Sequence, residues 1–117
     1  MALTGAGRKL GAKRGRRVGL LRNLATSLFV HEKITTTVAK AREASRFANR
    51  LITVAKKGDL NAHKRVAQDI HNADVRKKLF DVLAPRYASR AGGCTQIFRL
   101  ANRQGDNAQM ALLRLVA

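Results

Sequence analysis

The stretch KITTTVAKAREASRFANRLITVAKKG, residues 33–58, sets a strand directly against a helix, and the rest of the chain is read outward from it. Lys33-Ile34-Thr35-Thr36-Thr37 is a short β-branched run, the composition that fits a pleated strand. Thr36 or Thr37 can then cap the following helix, because a Thr hydroxyl accepts from the free N–H groups of a first turn. That helix is predicted over 38–57. Val38, Ala41, Ala44, Ala48, Leu51, Ile52 and Ala55 recur on one face, and Gly58 supplies the stop. Arg42, Arg46 and Arg50, four apart, form a basic stripe on another face. The stripe has two readings: a phosphate-binding surface, or a solvated face with Glu43 as local partner.

Toward the C-terminus the period changes. After Arg90-Ala91-Gly92-Gly93, the runs Cys94–Ala101 and Gln109–Val116 read as strands, and the second alternates with Ala111, Leu113 and Leu115 on one face. Asn102–Ala108 joins them as a loop containing Gly105-Asp106-Asn107, a turn signal. Toward the N-terminus, Leu20, Leu21, Leu24 and Leu28, with Phe29 beside them, mark a helix over 18–31. Asp59 is the expected cap of a third helix to about Asn72, with Val66, Ala67 and Ile70 inward. Asp74 is the expected cap of a fourth, with Val75, Leu79, Val82 and Leu83 inward. Arg76-Lys77-Lys78 lies on its exposed side, and Pro85 ends or kinks it. The fold class is therefore α+β: a small three-stranded sheet packed with about four helices.

The 117 residues are enough for one domain with a modest core. Charge says more about partners than about fold. The 24 Lys and Arg against 7 Asp and Glu give a formal +17. A compact chain with that charge repels itself unless a polyanion neutralises it, and nucleic acid is the commonest such partner. Residues 1–17 carry Arg8, Lys9, Lys13, Arg14, Arg16 and Arg17 with no acid, and the first acid of the chain is Glu32. This segment is expected to be an extended basic arm that orders on phosphates, ahead of a globular domain over 18–117.

Several function classes find no support. Cys94 is the only cysteine, so no internal disulfide is possible, which fits a reducing compartment; the setting expected is the cytoplasm, with an organelle as the alternative. His31, His63 and His71 do not combine with it at any metal-ligand spacing, and no metal or other cofactor is expected. No phosphate loop of the G-x-x-x-x-G-K-[ST] type occurs, and Ser27, Ser45 and Ser89 sit in no nucleophile elbow, so no catalytic residue is assigned. No apolar run approaches the roughly 20 residues of a membrane helix.

Pro85-Arg86-Tyr87-Ala88-Ser89-Arg90-Ala91-Gly92-Gly93 places the only tyrosine between two arginines. Tyr87 can stack on a base or reach a phosphate, and Gly92-Gly93 offers bare amides for close approach to a nucleic-acid backbone. The plainer alternative is a helix-ending turn with Tyr87 half-buried under it.

Four stretches, in order and at matching spacings, are more specific than composition. They are Gly7-Arg8-Lys9-Leu10 with Leu20-Leu21-Arg22-Asn23-Leu24; Ile34-Thr35-Thr36-Thr37-Val38-Ala39-Lys40-Ala41-Arg42-Glu43; Leu51-Ile52-Thr53-Val54-Ala55-Lys56; and Pro85-Arg86-Tyr87, Arg90-Ala91-Gly92-Gly93 and Arg103-Gln104-Gly105-Asp106-Asn107-Ala108-Gln109-Met110-Ala111. Together they resemble the bacterial large-subunit ribosomal protein L-seventeen family from about Gly7 to Val116. The chain departs from that pattern at Met1-Ala2-Leu3-Thr4, Arg16-Arg17, Cys94 and Arg114.

The resemblance implies a structural, non-enzymatic protein seated on large-subunit rRNA of the 23S type near the outside of the peptide exit tunnel. It implies a role in subunit assembly, neighbours of the L-thirty-two and L-twenty-two families, and no homo-oligomer. The rRNA-binding residues expected are Arg8, Lys9, Lys13, Arg14, Arg16, Arg17, Arg22, Asn23, Thr36, Lys40, Arg42, Arg86, Tyr87, Arg90, Gly92 and Gly93. A free DNA-compacting or RNA-chaperone protein is the alternative of another class; it would not sediment with large subunits in high salt.

Overall fold

The computed structural model describes residues 14–117, so Arg8, Lys9 and Lys13 lie outside the described residues. Helix α1 (Arg14–His31) leads into strand β1 (Lys33–Thr37) and helix α2 (Val38–Lys57). Helices α3 (Leu60–Asp69) and α4 (Ala73–Lys78) follow. A π-helical turn, Leu79–Leu83, carries α4 into a last α turn, α5 (Ala84–Arg86). Strands β2 (Thr95–Arg99) and β3 (Met110–Leu115) complete an antiparallel sheet ordered β1-β3-β2. The α+β class and the three-stranded sheet are as expected from the sequence.

The capping residues behave as their chemistry requires. Thr37 holds extended backbone and its hydroxyl accepts from the Lys40 N–H at 3.5 Å. Gly58 closes α2 in the left-handed region (φ 67°), and its N–H donates to the Ala55 carbonyl. Asp59 caps α3 through the Ala62 N–H at 2.8 Å. The cap of α4 is Asn72, not Asp74: its side chain accepts from the N–H groups of Asp74 and Val75. Asp74 instead sits in the first turn, where its charge complements the helix dipole.

The core forms where α2 lies across all three strands. Ala111, Leu113 and Leu115 point inward from β3, the face expected from their alternation. They meet a core that includes Ala41, Ala44, Phe47, Ala48, Leu51 and Ile52 of α2. Small residues every three or four positions let the helix sit close to the sheet. Polar contacts fix α2 against β2. The Ser45 and Thr95 hydroxyls lie 2.6 Å apart, and Asn49 accepts from the Cys94 N–H at 3.3 Å. Cys94 is buried immediately before β2, and burial pushes its thiol pKa up.

Two departures from expectation matter for the site. The described part of helix α1 already runs from Arg14, four residues ahead of 18, so Arg14, Arg16 and Arg17 are helical. The buried stripe of α1 also passes through Leu21, Ala25, Leu28 and Phe29, leaving Leu20 and Leu24 on its flank.

The second departure is at Val82; the helix itself is distorted just before Pro85 and ends at Arg86, one residue past the proline, as expected. A proline ring strikes the carbonyl four residues before it in a regular α-helix. Here the preceding turn is widened: the Ala84 N–H donates to the Leu79 carbonyl, an i→i+5 bond. The chain then continues helically to Arg86, and the Tyr87 N–H donates to the Leu83 carbonyl at 3.1 Å. The extra residue in that turn leaves Leu79 and Leu83 buried but Val82 44% exposed, against the inward position expected for it.

Candidate nucleic-acid interface

The charged residues fall into two sets. Most acids are engaged internally. Glu32 accepts from Lys78 at 3.3 Å and from Arg86; Glu43, nearly buried, lies 3.5 Å from Arg46. Asp69 accepts from Arg22 at 2.9 Å, Asp59 caps α3, and Asp106 accepts from Arg103 at 3.0 Å. The Arg86 guanidinium holds the Glu32 carboxyl below its usual range, and Arg103 helps hold Asp106 down to about 2. Of the seven acids, only Asp74 and Asp81 have no side-chain partner among the described residues, and Asp74 serves the start of α4.

The second set is cationic and outward. Arg42, Arg50, Lys57, Lys64, Arg65 and Lys77 are exposed, with no ion pair to an acid among the described residues. Arg42 and Arg50, with Arg46 between them, occupy the exposed face of α2. A hollow of about 240 Å³ opens at the start of α2, lined by Thr37, Val38, Arg42 and Gln109. No acid stands in the first turn of α2, so the positive end of its dipole is uncompensated there. An anion is stabilised in such a place by both the helix end and the arginine.

The residues expected to contact RNA divide along the same line. Arg16 and Asn23 are exposed on α1, Lys40 is half-buried in the first turn of α2, and Arg42 is exposed. Thr36 is half-buried opposite Ala111, on the helix-facing side of the sheet. Arg90 is exposed; its guanidinium donates to the Gly93 carbonyl at 3.3 Å, and its own carbonyl accepts from Lys56. Gly92 and Gly93 hold φ of +86° and +63°, a left-handed pair that a side chain would strain. Apart from the chain neighbours, no heavy atom of the described residues lies within 4 Å of where a Cβ would stand at either, so open space adjoins the turn.

Three expected contacts have partners within the fold, and a fourth, Arg17, is buried. Tyr87 is only 1% exposed and its hydroxyl donates to the Val116 carbonyl, so it is a core residue, not a stacking platform. Burial satisfies both the apolar ring and the polar tip, the usual disposition of an interior tyrosine. Arg86 is held by Glu32, across the corner between α1 and β1, with its guanidinium 5.8 Å from the Tyr87 ring centre. Arg22 is held by Asp69. Arg17 is nine-tenths buried on the core side of α1, and its Nε has no acceptor among the described residues.

Conversely, Arg50 and Lys57 belong with the exposed set but were not among the expected contacts. The i, i+8 spacing from Arg42 was the available signal for Arg50.

Among the described residues, no group of three or more His, Cys, Asp and Glu could hold a metal ion. His63 instead stacks on Phe80, with ring centres 3.8 Å apart. No described helix is long and apolar enough to cross a membrane.

The sequence profile described as Ribosomal protein L17 matches residues 20–116. A large ribosomal subunit protein bL17 from Endomicrobium trichonymphae is 47% identical over 116 residues, covering 99% of both chains. The bL17 protein of Desulforamulus reducens is 49% identical over 109 residues, covering 93% of this chain and 97% of its own. That of Syntrophotalea carbinolica is 46% identical over 111 residues, covering 95% of this chain and 72% of its own. The matched span takes in all of β1 through β3, so the chain belongs to the ribosomal protein L17 family.

Proposed function

We infer that this protein is a structural constituent of the large ribosomal subunit that binds 23S-type rRNA near the outside of the peptide exit tunnel and supports subunit assembly. The observation that carries the binding is the separation of charge described above. Four of the seven acids pair with Lys or Arg of the same chain, while Arg42, Arg50, Lys57 and other cations face solvent without an acid partner among the described residues.

Each such cation placed at a phosphate releases condensed counterions, so affinity should fall by about 10³–10⁵ between 50 and 200 mM salt if 6–10 phosphates are contacted. Arginine adds geometry, since its fork donates two parallel bonds to one phosphate. The open Gly92-Gly93 turn and exposed Arg90 supply a second approach for an RNA backbone. The protein is read as a scaffold without catalysis, working in the cytoplasm as part of the ribosome beside neighbours of the L-thirty-two and L-twenty-two families. The basic residues Arg8, Lys9 and Lys13 extend the contact along the N-terminal segment.

The test is sucrose-gradient fractionation of a lysate in high salt, with detection of this protein. Stoichiometric presence in the large-subunit peak is expected. Its appearance at the top of the gradient or on the nucleoid would favour a free nucleic-acid binder.

A further inference from the structure

A groove of about 360 Å³ lies between the C-terminal end of α2 and the helix formed by α4, the π turn and α5. That is near the lower end of ligand-pocket volumes, enough for one flat ring system. Ala55, Ala84 and Pro85 give it an apolar lining. His63 and Phe80, stacked at 3.8 Å with planes 20° apart, form an aromatic wall. Lys56 and Asp81 supply its charged groups. Lys56 is held at the wall by its bond to the Arg90 carbonyl.

Asp81 is the informative residue. It is exposed, it caps nothing, and its side chain has no ion pair or hydrogen bond among the described residues, in a chain with 24 Lys and Arg. A carboxylate on a phosphate-binding surface repels phosphates. It is favourable there if it accepts from N–H groups, since an ionised carboxylate is an acceptor with two oxygens side by side. Among nucleobases, guanine alone presents two adjacent donors, N1–H and the 2-amino group, at the spacing of those oxygens. The base plane is served by the His63–Phe80 wall and the apolar lining, and Lys56 is placed for the attached phosphate.

We propose that this groove holds one unpaired guanine, recognised through its Watson–Crick edge by Asp81. The proposal rests on the rRNA-binding reading above and adds a base-specific contact to a surface otherwise read as binding phosphates.

The experiment has two arms, both with the full chain. In solution, binding of UUGUU, UUIUU and UUAUU RNA pentamers is compared by fluorescence anisotropy, with labelled GMP as a free-nucleotide probe. Inosine lacks only the 2-amino group. The guanine pentamer should bind about tenfold or more tightly than the other two. Asp81→Asn should erase that preference with an unchanged circular dichroism spectrum. His63→Ala should weaken binding while the preference for guanine remains. In reconstituted large subunits, kethoxal, which reacts across N1 and N2 of unpaired guanine, should find a guanine protected by the wild-type protein and open with Asp81→Asn.

Guanine preference lost in Asp81→Asn, with GMP bound and no protected rRNA guanine, keeps the recognition and assigns a free nucleotide as the source. Equal binding of the three pentamers with an unchanged kethoxal pattern overturns the proposal. So does loss, in Asp81→Asn, of a protein–protein crosslink with no change at any guanine, which would give the groove to a cationic side chain of a neighbour. A steep salt dependence persisting through either negative result would leave the rRNA-binding reading standing and remove only the guanine contact.

Discussion

Arg86 and Arg42 are the same residue type in the same chain and have opposite circumstances. Arg86 closes a network in which Glu32 also receives Lys78, joining the last helical turn to the corner between α1 and β1. Arg42 stands on the open face of α2 beside a hollow at the helix start, with no acid on it. The difference teaches that net charge overstates the binding surface. Cations divide into those that hold the fold and those left for a polyanion, and only tertiary structure assigns each one.

The largest effect expected lies on the fold-holding side. Tyr87→Ala should cost about 3–5 kcal/mol in urea unfolding, because it empties a fully buried site. Tyr87→Phe should cost about 1 kcal/mol, the net worth of its hydroxyl bond to Val116. If Tyr87→Ala instead melted normally and lost RNA affinity, Tyr87 would belong to the binding surface and not to the core.

Gly93→Ala comes next, at about 1–2 kcal/mol, from backbone strain at φ +63° and not from crowding. Equal stability of the two proteins would show that the turn relaxes out of the left-handed region.

Arg86→Ala is smaller still, below about 1 kcal/mol at neutral pH, since both partners are about a third exposed and solvent screens them. Its signature is in the pH dependence. Glu32 has a depressed pKa when folded, so its contribution is present above the unfolded carboxyl value near 4.3 and is lost as pH falls through the folded one. Stability should therefore decline less steeply below pH 4.3 in Arg86→Ala than in the wild type. Parallel acid limbs would mean that the pair contributes nothing in solution.

Arg42→Ala with Arg50→Ala should leave stability within about 0.5 kcal/mol. Its effect belongs to RNA binding.

The elements that could be read in the sequence are those set by neighbours along the chain. Thr37, Gly58 and Asp59 cap their helices through bonds spanning three residues, and the alternation of Ala111, Leu113 and Leu115 fixes the inner sheet face. What could not be read depends on distant partners or on register. Glu32 and Arg86 are 54 residues apart. The widened turn before Pro85 is a hydrogen-bond shift that rotates Val82 outward and leaves its neighbours buried. The helical state of Arg14–Arg17 in α1 goes against Gly15 and Gly19, both weak helix formers. For the candidate interface, the sequence supplied the exposed stripe on α2 and the Gly92-Gly93 turn. It did not separate Arg42 from Arg86 or Tyr87, because burial decides that and the residue types alone do not.

The most direct test is the salt dependence of binding to a 23S-type rRNA fragment for three proteins: wild type, Arg42→Ala with Arg50→Ala, and Arg86→Ala. The slope of log affinity against log salt should shrink by about 1.8 in the double variant, at roughly 0.9 per lost phosphate contact on duplex, and stay unchanged in Arg86→Ala. A reduced slope in Arg86→Ala with an unchanged slope in the double variant would contradict the division of the cations on which the account rests.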